Sequence, residues 1–318
     1  MSAENLDSPV SYEQLEDLED DFEEVELELL RQQAKLTKDL YVKREKLVAD
    51  IPNFWPLVFE QSPPDIDEYI QPSDAAVLLG SLKSLSVDRF ELPGGDPRSL
   101  AIKFEFSDND HFENTVLEKK FWWRHAKDGW AGLVSEPVDI KWKSPDKDLT
   151  GGMLSLARKV WEEDKAAGIN NNDKNKTAED SESKKKLKDQ MDKTGLGGAS
   201  FFAWFGYRGR DVSVEEDREA FKLEQQKRQA RKDGKESEAK EGDEEEEEEE
   251  DDDDGDYEFE IFPTADDLAV AIAEDLWPGA IKYFIQAQEL DAMSDMEFET
   301  DDEDDDMEVD GPKQKRKA

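Results

Sequence analysis

The chain contains no cysteine. Disulfides and thiolate metal sites are therefore excluded, and the composition fits a reducing compartment. Histidine is nearly absent, with His111 and His125 the two in 318 residues. No Ser/His/Asp set, cysteine nucleophile or histidine metal cluster assembles around them, so we expect no enzyme and no cofactor. The many carboxylates show no D-x-D-x-D-G…E calcium loop, and weak cation adsorption is the better expectation. Gly151-Gly152 and the glycines of 195–198 lack the strand–glycine–helix setting of a phosphate loop. No apolar run approaches the ~18 residues of a membrane span. The acidic N-terminus lacks the basic and apolar regions of a signal peptide. A soluble, intracellular chain without membrane contact is expected.

Positive charge is missing from three whole segments. Residues 1–28 hold 12 acids, 241–256 hold 14 and 285–310 hold 13, all without a single base. Together they account for 39 of the net −42 charges, so the remaining chain is close to neutral. The acid sits mainly in appendages, with an ordinary folded domain between them. Such a chain is repelled by nucleic acid and anionic membranes and attracted to basic partners. Three separate runs fit a polyanion that competes with DNA for a polycation; the blander reading is that they only solubilise. Lys-rich 184–188 (KKKLK) has no interleaved aromatics, so nucleic-acid contact should be weak or indirect.

Glycine and proline are absent between residues 10 and 51. Leu15, Leu18, Phe22, Val25, Leu29, Leu36, Leu40, Leu47 and Ile51 recur there at steps of three, four and seven, the α-helical period. One amphipathic helix over 10–51 follows, roughly 60 Å long at ~1.5 Å per residue. Pro52 ends or kinks it. Its charges are polarised. Residues 13–28 hold ten acids and no base, whereas 31–46 hold six bases against Asp39 and Glu45. An antiparallel pair lays the acidic half on the basic half, so the spacing and charge predict an antiparallel homodimer. The alternative is a helix folded back on its own domain.

Further along, Ser73 and Asp74 are candidate caps for a short helix over 75–82, with Ala76, Leu79 and Leu82 on one face. Alternation at 85–92, a Pro-Gly-Gly-Asp turn at 93–96 and alternation at 100–106 predict a hairpin. Residues 116–123 and 138–142 are the third and fourth strands, giving a four-stranded antiparallel sheet whose one face needs helical cover. Adjacent Trp122 and Trp123 in a strand must point to opposite faces. A helix over 153–161 follows, then polar 162–198, expected to be a disordered loop. Residues 200–205 (SFFAWF) form an apolar cluster. Charged 206–240 suggests a frayed helix, and 257–262 an irregular apolar anchor. Thr264 is a candidate cap for a last helix, with Asp266 and Asp267 in its first turn favoured by the helix dipole. Glu274 lies two turns on and Asp275 beside it, so the four carboxylates are candidates for one strip facing Lys and Arg of a partner.

Five strings come in a familiar order: 51–55 (IPNFW); 109–114 with Val116 and Leu117; 140–144 (IKWKS) with Asp148, Leu149 and Thr150; 200–205 (SFFAWF); and 275–278 (DLWP) with Tyr283 and Phe284. In this order, behind a long helix, the chain resembles the nucleosome assembly proteins, and within them the SET, or template-activating-factor, branch of histone chaperones. The resemblance covers roughly 10–160, 199–206 and 263–285. It implies an α+β fold in a headphone-shaped homodimer. A long N-terminal dimerisation helix would be followed by an "earmuff" domain whose four-stranded antiparallel sheet is covered by helices, with acidic disordered segments attached. The domain plan is then an acidic start at 1–9, the dimerisation helix at 10–51, the earmuff at 52–206, a charged insertion at 207–262, closing helices at 263–285 and an acidic tail with a basic end at 286–318. Two departures stand out. The insertion is one, and the other is a turn reading Asn109-Asp110-His111-Phe112. Acids at the start of the last helix face histone in this branch; they match Asp266 and Asp267. Small hydroxyl residues that lie nearby are replaced by Ala203 and Gly206.

What the resemblance implies is a chaperone of core histones, both the H3–H4 pair and the H2 pair. It would shield them from non-productive DNA contacts and release them in nucleosome assembly or disassembly. The rival is a regulator that docks a histone-modifying enzyme or a phosphatase. Lys313, Lys315, Arg316 and Lys317 form a basic end suited to nuclear import. A nuclear protein, shuttling with the cytoplasm, is expected.

Overall fold

The computed structural model describes residues 10–169, 181–195, 198–232 and 259–301. The acidic run 243–254, the tail beyond 301 and the basic residues at 313–317 lie outside them. Helix α1 (Tyr12–Val48) is 37 residues long, about 55 Å at 1.5 Å per residue. Ser11 starts it with a reciprocal cap: its hydroxyl accepts from the Gln14 amide, and the Gln14 side chain accepts from the Ser11 amide. The helix ends at Val48, three residues before the expected Ile51. Pro52 disfavours an α-helical conformation at Ile51, and Asn53 turns the chain through a left-handed conformation (φ 56°). That turn drives α2 (Phe54–Glu60) inward, burying Phe54, Trp55, Val58 and Phe59.

After α3 (Pro64–Asp67) comes α4 (Pro72–Ser81). It starts earlier than expected, with Pro72 in the first turn and Gln71 at the cap position. It buries Val77, Leu78 and Ser81, while Ala76 and Leu79 are exposed and Leu82 is buried as part of a strand. Asp74 is not a surface cap. It is fully buried and accepts from the Gln71 amide, the Ser200 hydroxyl (2.6 Å) and the Phe201 amide (2.7 Å). One carboxylate thus caps the helix start locally and ties it to sequence-distant donors.

The sheet has four antiparallel strands in sequence order: β1 (Leu82–Asp88), β2 (Leu100–Phe106), β3 (Val116–His125) and β4 (Ala131–Ser135). The fourth strand is therefore 131–135, not 138–142. A tight turn brings it back: the Asp128 carboxylate accepts from the Trp130 amide, and Gly129 takes φ 91°. Leu133 then faces Trp123 and Val134 faces Trp122. Residues 138–142 run past the sheet, joined by one bridge, Phe112 to Trp142. The concave layer is filled by a 3-10 turn (Phe201–Gly206), every residue of which is buried. Phe104 is ringed by Phe201, Trp204 and Phe205 at centroid distances of 5.9–6.1 Å. Adding a Cβ to Gly206 would bring it 2.6 Å from Ile261, so Ala203 and Gly206 are packed under the core and do not reach solvent.

In the polar stretch 162–198, residues 170–180 and 196–197 lie outside the described residues, and the rest is more ordered than its composition suggests. Helix α5 (Met153–Ala167) continues past 161, and α6 (Glu182–Thr194) packs on it. One fully buried leucine, Leu187, and matched polar contacts suffice: Ser181 and Ser183 donate to Glu163 at 2.9 Å, and Lys184 pairs with Asp164 at 2.8 Å. Two lysines of the 184–188 string are thereby occupied, since Lys186 also pairs with Glu182. Helix α7 (Val214–Lys232) crosses from β3 to α1, followed by α8 (Ala265–Ala271), a π-helical turn (Ile272–Leu276) and α9 (Ala280–Asp301). The acidic stretch from 286 is thus helical through 301.

Charge is also buried. Lys119 points inward from β3 with no exposed surface and donates to the carbonyls of Glu136, Phe205 and Tyr207. Arg208 sits between Asp164 (3.1 Å) and Glu260 (3.7 Å). Burial pushes the Lys119 amine down to about 7 and the Glu260 carboxyl up to about 7, each resisted by its opposite charges. Lys119→Met would strand three carbonyls and remove a counter-charge from Glu260. We expect a loss of about 3–5 kcal/mol, read as a lower urea midpoint; a midpoint within error of wild type would refute the role.

Candidate functional site

Two surfaces collect the residues singled out in the sequence: the outer face of α1 and the start of α8. On α1, Leu15, Leu18, Phe22, Val25, Leu29, Leu36, Leu40 and Leu47 are 51–71% exposed. Their own domain does not cover them. It takes a different face of α1, where Tyr41, Arg44 and Val48 meet α2 and the last helices, about a quarter turn away by the 3.6-residue period. Arg44 is the joint. Its guanidinium lies 4.7 Å from the Trp277 ring, 4.8 Å from Tyr41 and 5.7 Å from Trp55, and donates to the Trp277 carbonyl. Burial lowers its pKa from the ordinary arginine value. Between the second half of α1 and the domain lies a cleft of about 1440 Å³, lined by both signs of charge, among them Lys35, Lys38, Arg89, Glu45, Asp88 and Glu274.

The start of α8 is less regular than its sequence suggests. Thr264 stands at the cap position but makes no side-chain cap hydrogen bond. Asp266 and Asp267 occupy the first turn, half-buried and exposed respectively. Neither makes an ion pair among the described residues. The helix dipole does not dominate Asp266: burial, and next the Asp267 carboxylate, raise its pKa above the ordinary aspartate value.

The four candidate carboxylates do not form one strip. A π-helical turn closes with the Trp277 amide on the Ile272 carbonyl, which changes the rotation expected for a regular helix. Glu274 is turned toward the cleft and pairs with Arg89 at 3.1 Å. Asp275 accepts from the Tyr283 hydroxyl at 2.8 Å, and burial and that contact push the Tyr283 phenol up to about 12. Only Asp266 and Asp267 remain together.

Elsewhere, both histidines have structural partners. His111 contacts the Lys147 carbonyl through Nδ1 at 3.1 Å, and His125 contacts Asp217 at 3.0 Å. The turn at 109–112 is held by the Asn109 carboxamide oxygen, which accepts from the His111 and Phe112 amides. Among the described residues, no group of three or more His, Cys, Asp or Glu is placed to hold a metal ion, and no helix is long and apolar enough to cross a membrane. Sequence periodicity did not reveal Arg44, Arg89 or Arg98 as organising cations. Each acts on a residue far along the chain, and single arginines carry no spacing signal.

The raised Asp266 pKa has a direction that can be measured. Folding favours its protonated form, so its contribution to stability is full below the ordinary aspartate range and is lost as pH rises through the folded-state pKa. Asp266→Asn should therefore melt higher than wild type at pH 7, with the difference closing toward about pH 3, below the usual aspartate value. Thermal unfolding across pH tests this; a variant less stable than wild type at pH 7 contradicts it.

Comparison with known proteins places this architecture. The sequence model of the nucleosome assembly protein (NAP) family matches residues 48–287. A putative nucleosome assembly protein of Schizosaccharomyces pombe is 34% identical over 155 residues, 45% of this chain and 62% of that protein. Protein SET of Drosophila melanogaster is 38% identical over 114 residues, 34% of this chain and 39% of that one. The matched region thus spans less than two thirds of these relatives. The crystal structure of Vps75 superposes with a TM-score of 0.50 at 21% identity, covering 86% of this chain and 96% of that one, and so has the same fold. With the family model matched across the sheet, the SFFAWF turn and the closing helices, the chain belongs to the nucleosome assembly protein family.

Proposed function

We propose that this protein is a histone chaperone acting as a homodimer. The observation that carries the reading is the family match over 48–287 in a chain of net charge −42. The protein binds core histones, both the H3–H4 pair and the H2 pair. It shields their lysines and arginines from non-productive DNA contact and yields them when DNA, a denser polyanion, competes. No bond is made or broken. The acidic segments supply long-range attraction, which falls off over a Debye length of ~8 Å at physiological ionic strength. Asp266 and Asp267 supply a contact from the folded body, with Glu274 and Asp275 as lesser contributors because each already has a partner. The site of action is the nucleus, with shuttling through the cytoplasm, and import rests on Lys313, Lys315, Arg316 and Lys317.

The exposed stripe of α1 is the dimer surface in this reading. A row of eight apolar side chains open to water along one helix is stabilised by a second copy laid antiparallel. Leu29→Lys together with Leu36→Lys should give a monomer at micromolar concentration in light scattering; a double variant that stays dimeric removes α1 as the dimer surface.

The histone contact is tested by Asp266→Ala/Asp267→Ala, beside a chain lacking 241–256 and 302–310. Exposed ion pairs each contribute about 0.2–1 kcal/mol, so losing two of them should weaken histone binding about two- to thirtyfold with the dimer intact. Loss of the acidic segments should mainly slow association and flatten its salt dependence. Affinities at low and moderate salt decide. If the double alanine binds as wild type does while the shortened chain loses all binding, the folded surface is not the contact.

A further inference from the structure

The acidic half of α1 is not bare. Arg228 of α7 lies 3.0 Å from Asp21, 3.1 Å from Glu24 and 3.7 Å from Asp20. Arg231, three residues on, lies 3.0 Å from Asp17, 2.9 Å from Asp20 and 3.5 Å from Glu16. As the number rises along α7 it falls along α1, so the two helices run antiparallel. A third guanidinium reaches the same half from the sheet: Arg98, stacked 3.9 Å over Trp123, pairs with Glu23.

Helix α7 is built for this seat. Its first turn carries Glu215, Glu216 and Asp217. Its last eight residues, 225–232, carry Lys227, Arg228, Arg231 and Lys232 and no acid. Each end complements its own dipole, and the cationic end meets the acidic start of α1. The other end is fixed differently. Asp217 accepts from the His125 amide (2.9 Å) and contacts its ring, Lys127 pairs with Glu219, Ala220 is buried, and Phe221 packs 5.3 Å from the His125 ring. One end of α7 is thus anchored by packing on β3 and the other by charge on α1.

The charged end fits imperfectly. The Arg228 Nε lies 3.7 Å from the Asp20 carboxylate, too far for a hydrogen bond. Most of the carboxylates it meets are exposed, so the contact is screened by salt and open to competition. By the helical period, Asp17, Asp20 and Glu24 lie on the far side of α1 from Leu18, Phe22 and Val25, while Asp21 borders Val25; most of the strip is thus separate from the apolar stripe.

We infer that Glu16, Asp17, Asp20, Asp21 and Glu24 form a binding strip for a cationic protein helix that presents arginines three residues apart, and that α7 is its resident intramolecular occupant. An incoming arginine-bearing helix displaces residues 222–232 while 214–221 stay on the sheet. The strip is separate from Asp266 and Asp267 and does not depend on histone binding there.

The test uses the full chain and, as probe, a fluorescent synthetic helix with arginines at every third or fourth position. In Arg228→Gln/Arg231→Gln, hydrogen exchange of 222–232 should rise without change at 214–221. Probe affinity at low salt should tighten about three- to tenfold, the scale of a few exposed ion pairs. A charge-matched control on α5, Lys159→Gln/Lys165→Gln, should not tighten it. Adding Asp17→Asn, Asp20→Asn and Asp21→Asn to the arginine variant should abolish the gain. Unchanged exchange at 222–232 overturns the inference, because the arginines then do not hold α7. Equal tightening in the control, or a gain that survives neutralising the strip, also overturns it, since bulk charge or the other acidic segments would then be the binder.

Discussion

Carboxylate repulsion limits where this chain can fold: 84 acids face 42 lysines and arginines. Among the described residues, the cations inside the folded body are placed where a carboxylate or a carbonyl must be answered. Lys119 answers three carbonyls, Arg208 answers Asp164 and Glu260, and Arg89 answers Glu274. Breaking the buried Lys119 or Arg208 set leaves an uncompensated charge, which costs far more than an exposed pair; the Glu274 carboxylate that meets Arg89 is exposed, and that pair contributes less. The cations therefore act as fixed points, and the strands and helices between them are held in relation to one another.

Arg44 has a different task, because no carboxylate meets it among the described ion pairs. Three aromatic rings and one carbonyl hold it instead. This joins a helix about 55 Å long to a domain that touches only part of it. The result is a helix with two working faces. One face, with Tyr41, Arg44 and Val48, belongs to the domain, and the other, with Leu15 to Leu47, is left in water. Near the N-terminal end, Arg98 and the last turns of α7 pair with the acids of the same helix. A packed joint at one end and a salt-sensitive one at the other give α1 an attachment that is firm where the core is and yielding where the acid is.

Partner choice follows from the same division. Acid outside the folded body acts at a distance and is screened by salt. Acid on the folded body, such as Asp266, carries a cost in burial that raises its pKa. The π-helical turn separates Asp266 and Asp267 from Glu274 and Asp275, so the surface presents a small patch where a regular helix would give a longer strip.

Much was legible in the sequence. The 3.6-residue recurrence from Leu15 to Leu47 and the lack of glycine and proline determined a long helix, because period and propensity are local properties. Alternation located three of the four strands for the same reason, though β1 runs over 82–88 and not the expected 85–92, and the ordered strings at 51–55, 200–205 and 275–278 pointed to the family. Tertiary structure alone decided the rest. The fourth strand moved to 131–135 because an Asp-Gly turn and pairing with Trp122 and Trp123 outweigh the alternation at 138–142. Helix α6 formed in a polar stretch because one leucine found a buried seat and Lys184 found Asp164. Asp74 in the first turn of α4 was buried by Ser200 and Phe201, more than a hundred residues away. The acidic half of α1, which by charge alone called for a partner's basic half, found the arginines of α7 in its own chain. Local pattern cannot register any of these, since each depends on which distant groups arrive at the same place and satisfy one another there.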